Sequence, residues 1–151
     1  AGFHVKPGAF DTFKRLFSEA CARQAAACGG GLSRTLAVDG WLEPNALTLA
    51  LCRAIRQLAP FGCGNPAPRW GVRGVTVKEV RPVGAAGEHL HCVLACGGQT
   101  LPRGVWFRNG TAVDALRAHA GPVDVVCELR ENVFGGEASV ELHIVDMAPC
   151  A

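Results

Sequence analysis

The chain has 151 residues, 49% hydrophobic and 19% charged, and a formal net charge of +2 at pH 7. That is enough apolar material for one packed domain with an attachment, and no apolar run reaches the ~18 residues of a membrane span. A membrane partner is therefore not expected, and with no secretory leader in view a cytoplasmic location is.

The charge is uneven. Residues 1–52 carry five basic and four acidic groups, residues 53–108 eight and two, and residues 109–151 two and seven. The middle block is mostly arginine: Arg53, Arg56, Arg69, Arg73, Arg81, Arg103 and Arg108, with Lys78. It reads equally as a phosphate-binding face or as one half of a chain attracted to its own acidic half. The eight cysteines contain no CxxC pair, which points to reduced, core-filling thiols. His89, His91, Cys92 and Cys96 are the nearest thing to a metal cluster. On a strand His89 and His91 face opposite to Cys92, which argues against convergence, so no metal is expected.

The chain starts Ala1-Gly2-Phe3, without a methionine, and reads as a piece of something longer. Ala1 to Val5 suggests the end of a strand and Pro7-Gly8 a turn. From about Ala9 to Ala27, Phe10, Phe13, Phe17 and Ala20 or Cys21 recur at helical spacing, so an amphipathic helix with a core-facing phenylalanine stripe is predicted, ended by Gly29-Gly30-Gly31. The stripe has little to bury against within the chain, so part of its packing partner is expected elsewhere. Leu36, Val38 and Trp41 suggest a short strand over Arg34 to Gly40. A second helix is predicted from Asn45 or Thr48 to Leu58, with Leu47, Leu51, Ile55 and Leu58 on one stripe.

Pro60-Phe61-Gly62-Cys63-Gly64-Asn65-Pro66-Ala67-Pro68-Arg69-Trp70 then stops all regular structure. Prolines fix φ and remove donors, and glycines permit φ > 0, so the stretch is a rigid elbow. Its two readings are a structural turn anchored by buried Phe61 and Trp70, and a ligand contact made by its free amides. Beyond it, period-two alternation predicts five strands. Val75, Val77 and Val80 mark the first, ended by Pro82 to Gly87. The second spans about Glu88 to Ala95 and the third about Thr100 to Phe107, with Val105 and Phe107 on one face and Trp106 on the other. A helix from Thr111 or Ala112 to Ala120 buries Val113 and Leu116. The fourth strand alternates through Val123, Val125, Cys127 and Leu129, Asn132 to Gly136 turns, and the fifth alternates through Ala138, Val140, Leu142 and Ile144. Three strands, a helix and two strands make a mainly β, α+β chain. The expected architecture is a five-stranded OB-fold barrel preceded by two helices, with an open five-stranded sheet as its rival.

Ala1-Gly2-Phe3, Leu58 to Pro68, His89-Leu90, Gly104-Val105-Trp106-Phe107, and Asn132 to Gly136 with Ser139, Leu142, Ile144 and Asp146 together resemble RecJ, the bacterial single-strand-specific 5'-3' DNA exonucleases of the DHH superfamily. The resemblance runs over essentially the whole chain, and the Pro-Phe-Gly-x-Gly-Asn-Pro elbow is its most specific element. It implies that residues 1–31 are the tail of the DHH-associated domain, residues 32–70 a connection ending in the elbow, and residues 71–149 the OB domain. Manganese or magnesium would belong to the family's DHH domain. There is no Asp-His-His run here, and Asp11, Asp39, Asp114 and Asp124 are scattered with no histidine beside them. No catalytic residue or cofactor is therefore assigned, and the chain alone is expected to be inactive.

A barrel of this type grips single strands on strands two and three and the loops after strands one and four. That assigns DNA binding to Arg81, His89, His91, Arg103, Trp106, Arg108 and Phe134, with Pro60, Phe61, Gly62, Gly64, Asn65 and Pro66 as the structural elbow. Each has a second reading. Trp106 stands where the family usually has a small residue and could pack on a neighbouring domain, and His91 stands where it commonly has lysine. His89 could bond a strand neighbour, Phe134 could plug the barrel end, and Arg103 could pair with an acid such as Glu128. Asn132 and Gly135-Gly136 read most simply as turn residues. Single-stranded DNA is the expected partner, with single-strand-binding protein a further candidate. The alternative function is a bracing or partner-docking module.

Overall fold

The computed structural model describes residues 2, 4–27 and 35–150, which pack as two units, Ala1–Leu36 and Ala37–Ala151. No helix among them is long and apolar enough to cross a membrane.

In the first unit, Lys6 accepts a hydrogen bond from Ala9 across the Pro7-Gly8 turn, and helix α1 follows over Phe10–Ala27. Its phenylalanine stripe is not a core. No residue of α1 is buried, Phe10 is 61% exposed, and Phe13 and Phe17 stack at 5.5 Å between ring centres. Amphipathic spacing forms the helix, but among the described residues this unit offers no second layer to cover the stripe. His4 and Val5 are not in a strand. Ala1, Phe3 and Gly29 to Gly31 lie outside the described residues.

The second unit opens with strand β1, reduced to Gly40–Trp41, one residue past the predicted span and parallel to the next strand. A 3-10 turn over Pro44–Ala46 leads to helix α2, Leu49–Arg56. The Thr48 hydroxyl caps it by accepting from the Leu51 amide at 3.2 Å. Leu47, Cys52 and Ile55 enter the core, but Leu58 is 59% exposed because the helix ends before it. The elbow closes on itself: Gly62 and Asn65 exchange backbone hydrogen bonds, and Asn65 Nδ2 donates to the carbonyls of Leu58 and Pro60 at 2.9 and 3.0 Å. The Ala59–Pro60 peptide is cis, and Phe61 and Trp70 pack half-buried against the core. Gly62 and Gly64 have no positive φ, contrary to the conformational reason expected for them.

Five strands then form a ring: β2 (Trp70–Val83), β3 (His89–Cys96), β5 (Arg103–Trp106), β6 (Val123–Phe134) and β7 (Glu137–Pro149). β2 pairs with β3, β3 with β5, β5 with β7 in parallel, β7 with β6, and β6 returns to β2. That closure is the connectivity of an OB fold and removes the edges that short strands would expose. β2 reaches both neighbours because it bends, with register shifts between Val72 and Val75 against β6 and between Val77 and Glu79 against β3. It starts at Trp70, five residues before the first valine of the predicted strand.

The predicted third strand is interrupted. β4 (Gln99–Thr100) and β5 are separate, because Pro102 has no amide to carry the ladder with β3 through it. Phe107 lies beyond β5. A 3-10 turn over Gly110–Ala112 leads to helix α3, only Val113–Ala118, whose Val113 and Leu116 are half-buried against the core. The hairpin between β6 and β7 turns on Gly135 and Gly136 alone, at φ 62° and 86°, so Asn132 and Phe134 are paired strand residues opposite Ser139 and Glu137.

Leu90, Leu94, Leu142, Val72, Val75, Val125, Cys52, Cys92 and Cys127 are fully buried, and each large one contributes roughly 1.5–3 kcal/mol. Burial pushes the thiols of Cys92 and Cys127 up to about 11 and about 12, which keeps them as inert core. Cys21 and Cys63 are instead exposed.

Candidate nucleic-acid interface

Strand pairing decides which side chains share the outer surface of the barrel. Leu90, Trp106 and Ile144 are register partners on neighbouring strands, as are Cys92, Gly104 and Leu142. These rows are buried or packed on the core, so they face inward. Trp106 is therefore an interior residue. Its indole packs against the core and its Nε1 is buried without a hydrogen-bond partner, so it does not join the arginines outside. Gly104 makes room in the same layer, because a Cβ there would lie 2.9 Å from Ile144 Cδ1.

The opposite parity lies on the other side of the sheet, where neighbouring side chains leave Val105 only 5% exposed. Arg81, His91, Val105, His143 and Glu128 form one row across β2, β3, β5, β7 and β6, and Arg103 pairs with Glu141 in the next. Arg81 Nε donates to His91 Nδ1 at 3.2 Å, which requires that nitrogen to be unprotonated. His91 is 9% exposed, and its pKa lies below the ordinary 6.5: burial is the main cause, followed by the charges of Arg103 and Arg81. Arg103 meets Glu141 at 3.5 Å and not Glu128, which pairs with Arg130 at 2.6 Å. Glu141 Oε1 also lies 3.0 Å from His143 Nε2. Such partly exposed bridges stabilise by only about 0–1 kcal/mol, so they position the arginines more than they hold the fold.

Phe107, 44% exposed, sits edge-on between two imidazoles, 5.1 Å from His89 and 4.9 Å from His143. His89 Nδ1 accepts from the Arg108 amide at 3.1 Å, so its partner is this loop rather than a strand neighbour. Arg108 holds φ 58°, the left-handed conformation at a non-glycine residue. Strain of that kind persists where surrounding contacts over-determine it. Phe134 is 86% exposed and does not plug the barrel. It lies six residues beyond Glu128 along β6, about 20 Å of extended chain, and so stands apart from the cluster.

The outer face thus gathers Arg81, His89, His91 and Arg103, whereas Arg108 reaches it only through its amide and lines a separate groove with Glu88 and Asp114. To these it adds Phe107 and His143, which sequence reasoning missed. The signal exists in the alternation of Arg103, Val105 and Phe107, but an apolar-inside rule takes that parity for the inner face. Among the described residues no three His, Cys, Asp or Glu side chains gather as a metal-binding group.

The family model for the RecJ OB domain matches residues 38–146. The chain belongs to that family. Two crystal structures of RecJ from Thermus thermophilus resemble this RecJ OB chain over 99% of its length with a TM-score of 0.65. The one in complex with Mn2+ is 27% identical and the one with Mg2+ 28%. The match covers 20% and 22% of those chains, so this chain spans about a fifth of their length. No curated protein sequence matches it.

Proposed function

We propose that this RecJ OB domain binds single-stranded DNA across the outer face of β2, β3 and β5, holding it for the catalytic domain of a 5'-3' exonuclease whose manganese or magnesium is bound outside these residues. The observation that carries the reading is Phe107, half-exposed and framed by His89 and His143, with Arg81 and Arg103 on the same face. A flat ring offers any base a stacking surface, which stabilises binding by about 1–3 kcal/mol per base, and guanidinium groups meet phosphates without reading sequence. Fluorescence anisotropy of a labelled oligothymidylate tests it. Phe107→Ala is expected to weaken binding about tenfold or more, corresponding to that stacking energy. A folded Phe107→Ala protein that binds as tightly as native would overturn the assignment.

One observation favours a second reading, a bracing or partner-docking module. Val133 and Phe134, 64% and 86% exposed, are successive and so project to opposite sides of the hairpin tip. If the tip docks other domains of the parent or single-strand-binding protein, Phe134→Asp removes a salt-insensitive association measured by ultracentrifugation and leaves oligonucleotide binding intact.

A further inference from the structure

A second group of cations stands on the far side of Arg81. Between β2 and α3 lies a cavity of about 390 Å³ lined by Lys78, Arg81, Arg117 and His119, with Glu79 the single acid. Lys78 stands in the register shift between Val77 and Glu79, an extra residue that the β3 ladder does not pair. Bulges re-aim side chains in this way. Arg117 Nη2 donates to the Val80 carbonyl at 3.3 Å, which fixes the guanidinium at the cavity wall while engaging one of its five donors. His119 closes the same wall beside Leu116. Arg81 belongs to both places, because its Nε is bonded to His91 on the outer face while the residue also lines the cavity.

We propose that this cavity is a phosphodiester site. It takes a backbone phosphate of the strand as it leaves the β2–β3–β5 face, with Arg81 as the shared post between the two. The inference rests on the single-strand reading above and extends its path around β2. Lys78 and Arg117 supply donors of the kind phosphate oxygens require, and the cavity's side-chain charge favours an anion. A strand too short to pass Arg81 gains nothing from it.

The test uses the full chain and unphosphorylated labelled oligothymidylates of about 6 and about 16 nucleotides, spanning the site sizes of OB folds, whose only anions are internal phosphodiesters. The longer strand is expected to bind more tightly and with a steeper salt dependence. In Lys78→Ala/Arg117→Gln the slope of log K against log salt for the longer strand falls by about 0.7, the share of the one phosphate lost, while the shorter strand is unaffected. Lys78→Glu, which leaves the Arg117 bond to Val80 intact, is expected to weaken the longer strand selectively and guards against a fold defect. If both variants bind the longer strand with native affinity and slope while Phe107→Ala weakens both lengths, the cavity assignment is overturned alone. If no oligonucleotide binds the folded native chain, both assignments fall.

Discussion

The elbow and the outer face of β5 carry the most distinctive residues of the chain and use them in opposite ways. In the elbow the polar groups are consumed internally: Gly62 and Asn65 bond each other, and the Asn65 amide ties the carbonyls of Leu58 and Pro60. On the outer face Arg81 and Arg103 have donors to spare, and Phe107 keeps nearly half its surface in solvent. A region that satisfies itself serves the fold; one that leaves donors and a ring open is available to a ligand.

Substitutions can break that contrast. The largest stability effect is expected at Asn65→Ala, which removes two side-chain hydrogen bonds and costs about 1–2 kcal/mol, read as a lower urea midpoint with oligonucleotide affinity unchanged. Lost DNA affinity at native stability would mean that the elbow itself meets the ligand. Next is Arg108→Gly. Relief of the left-handed strain is worth about 1 kcal/mol before the added freedom of the unfolded chain offsets part of it, so thermal stability should hold or rise. A drop would assign Arg108 to the fold.

A smaller effect follows pH. The His91 pKa is lowered in the folded chain, chiefly by burial and then by Arg103 and Arg81, against the opposing carboxylates of Glu79 and Glu141. Its contribution to stability is therefore complete above the ordinary 6.5 and is lost as pH falls through the lower folded value, because the unfolded chain takes up the proton first. His91→Asn, which keeps an acceptor for Arg81, should flatten the fall of the urea midpoint below pH 6.5 relative to native. Least of all is expected from Gly62→Ala. With no positive φ and nothing within 4 Å of the added Cβ, the change should stay within about 0.5 kcal/mol.

Much of the barrel was legible because β6 alternates and buries one parity through Val123, Val125, Cys127 and Leu129, and β7 does so through Leu142 and Ile144 before the register shifts at Val145. The site was legible in its cations and misread in its aromatics. In and just after β5, Val105 and Phe107 share the parity opposite to the barrel interior and are more hydrophobic than the inward Gly104 and Trp106 taken together, so an apolar-inside rule inverts the strand. The inner layer demands a glycine where Ile144 and Cys92 crowd in, and glycine carries no hydropathy signal. The start of β2 was hidden for a related reason, since Trp70, Gly71 and Val72 do not alternate in polarity although their backbone pairs with β6. Lys78 escaped because a bulge breaks the count of two on which strand reading depends.

The connectivity of the ring also governs how the domain is made. β7 joins β5 on one side and β6 on the other, so the sheet holds two open edges until that 13-residue strand is made. Every earlier pairing can form during synthesis, but closure waits for that strand. Until β7 is in place, β5 and β6 each present an unpaired edge, so a chain that lacks Glu137–Pro149 would be an aggregation-prone sheet rather than a shortened barrel.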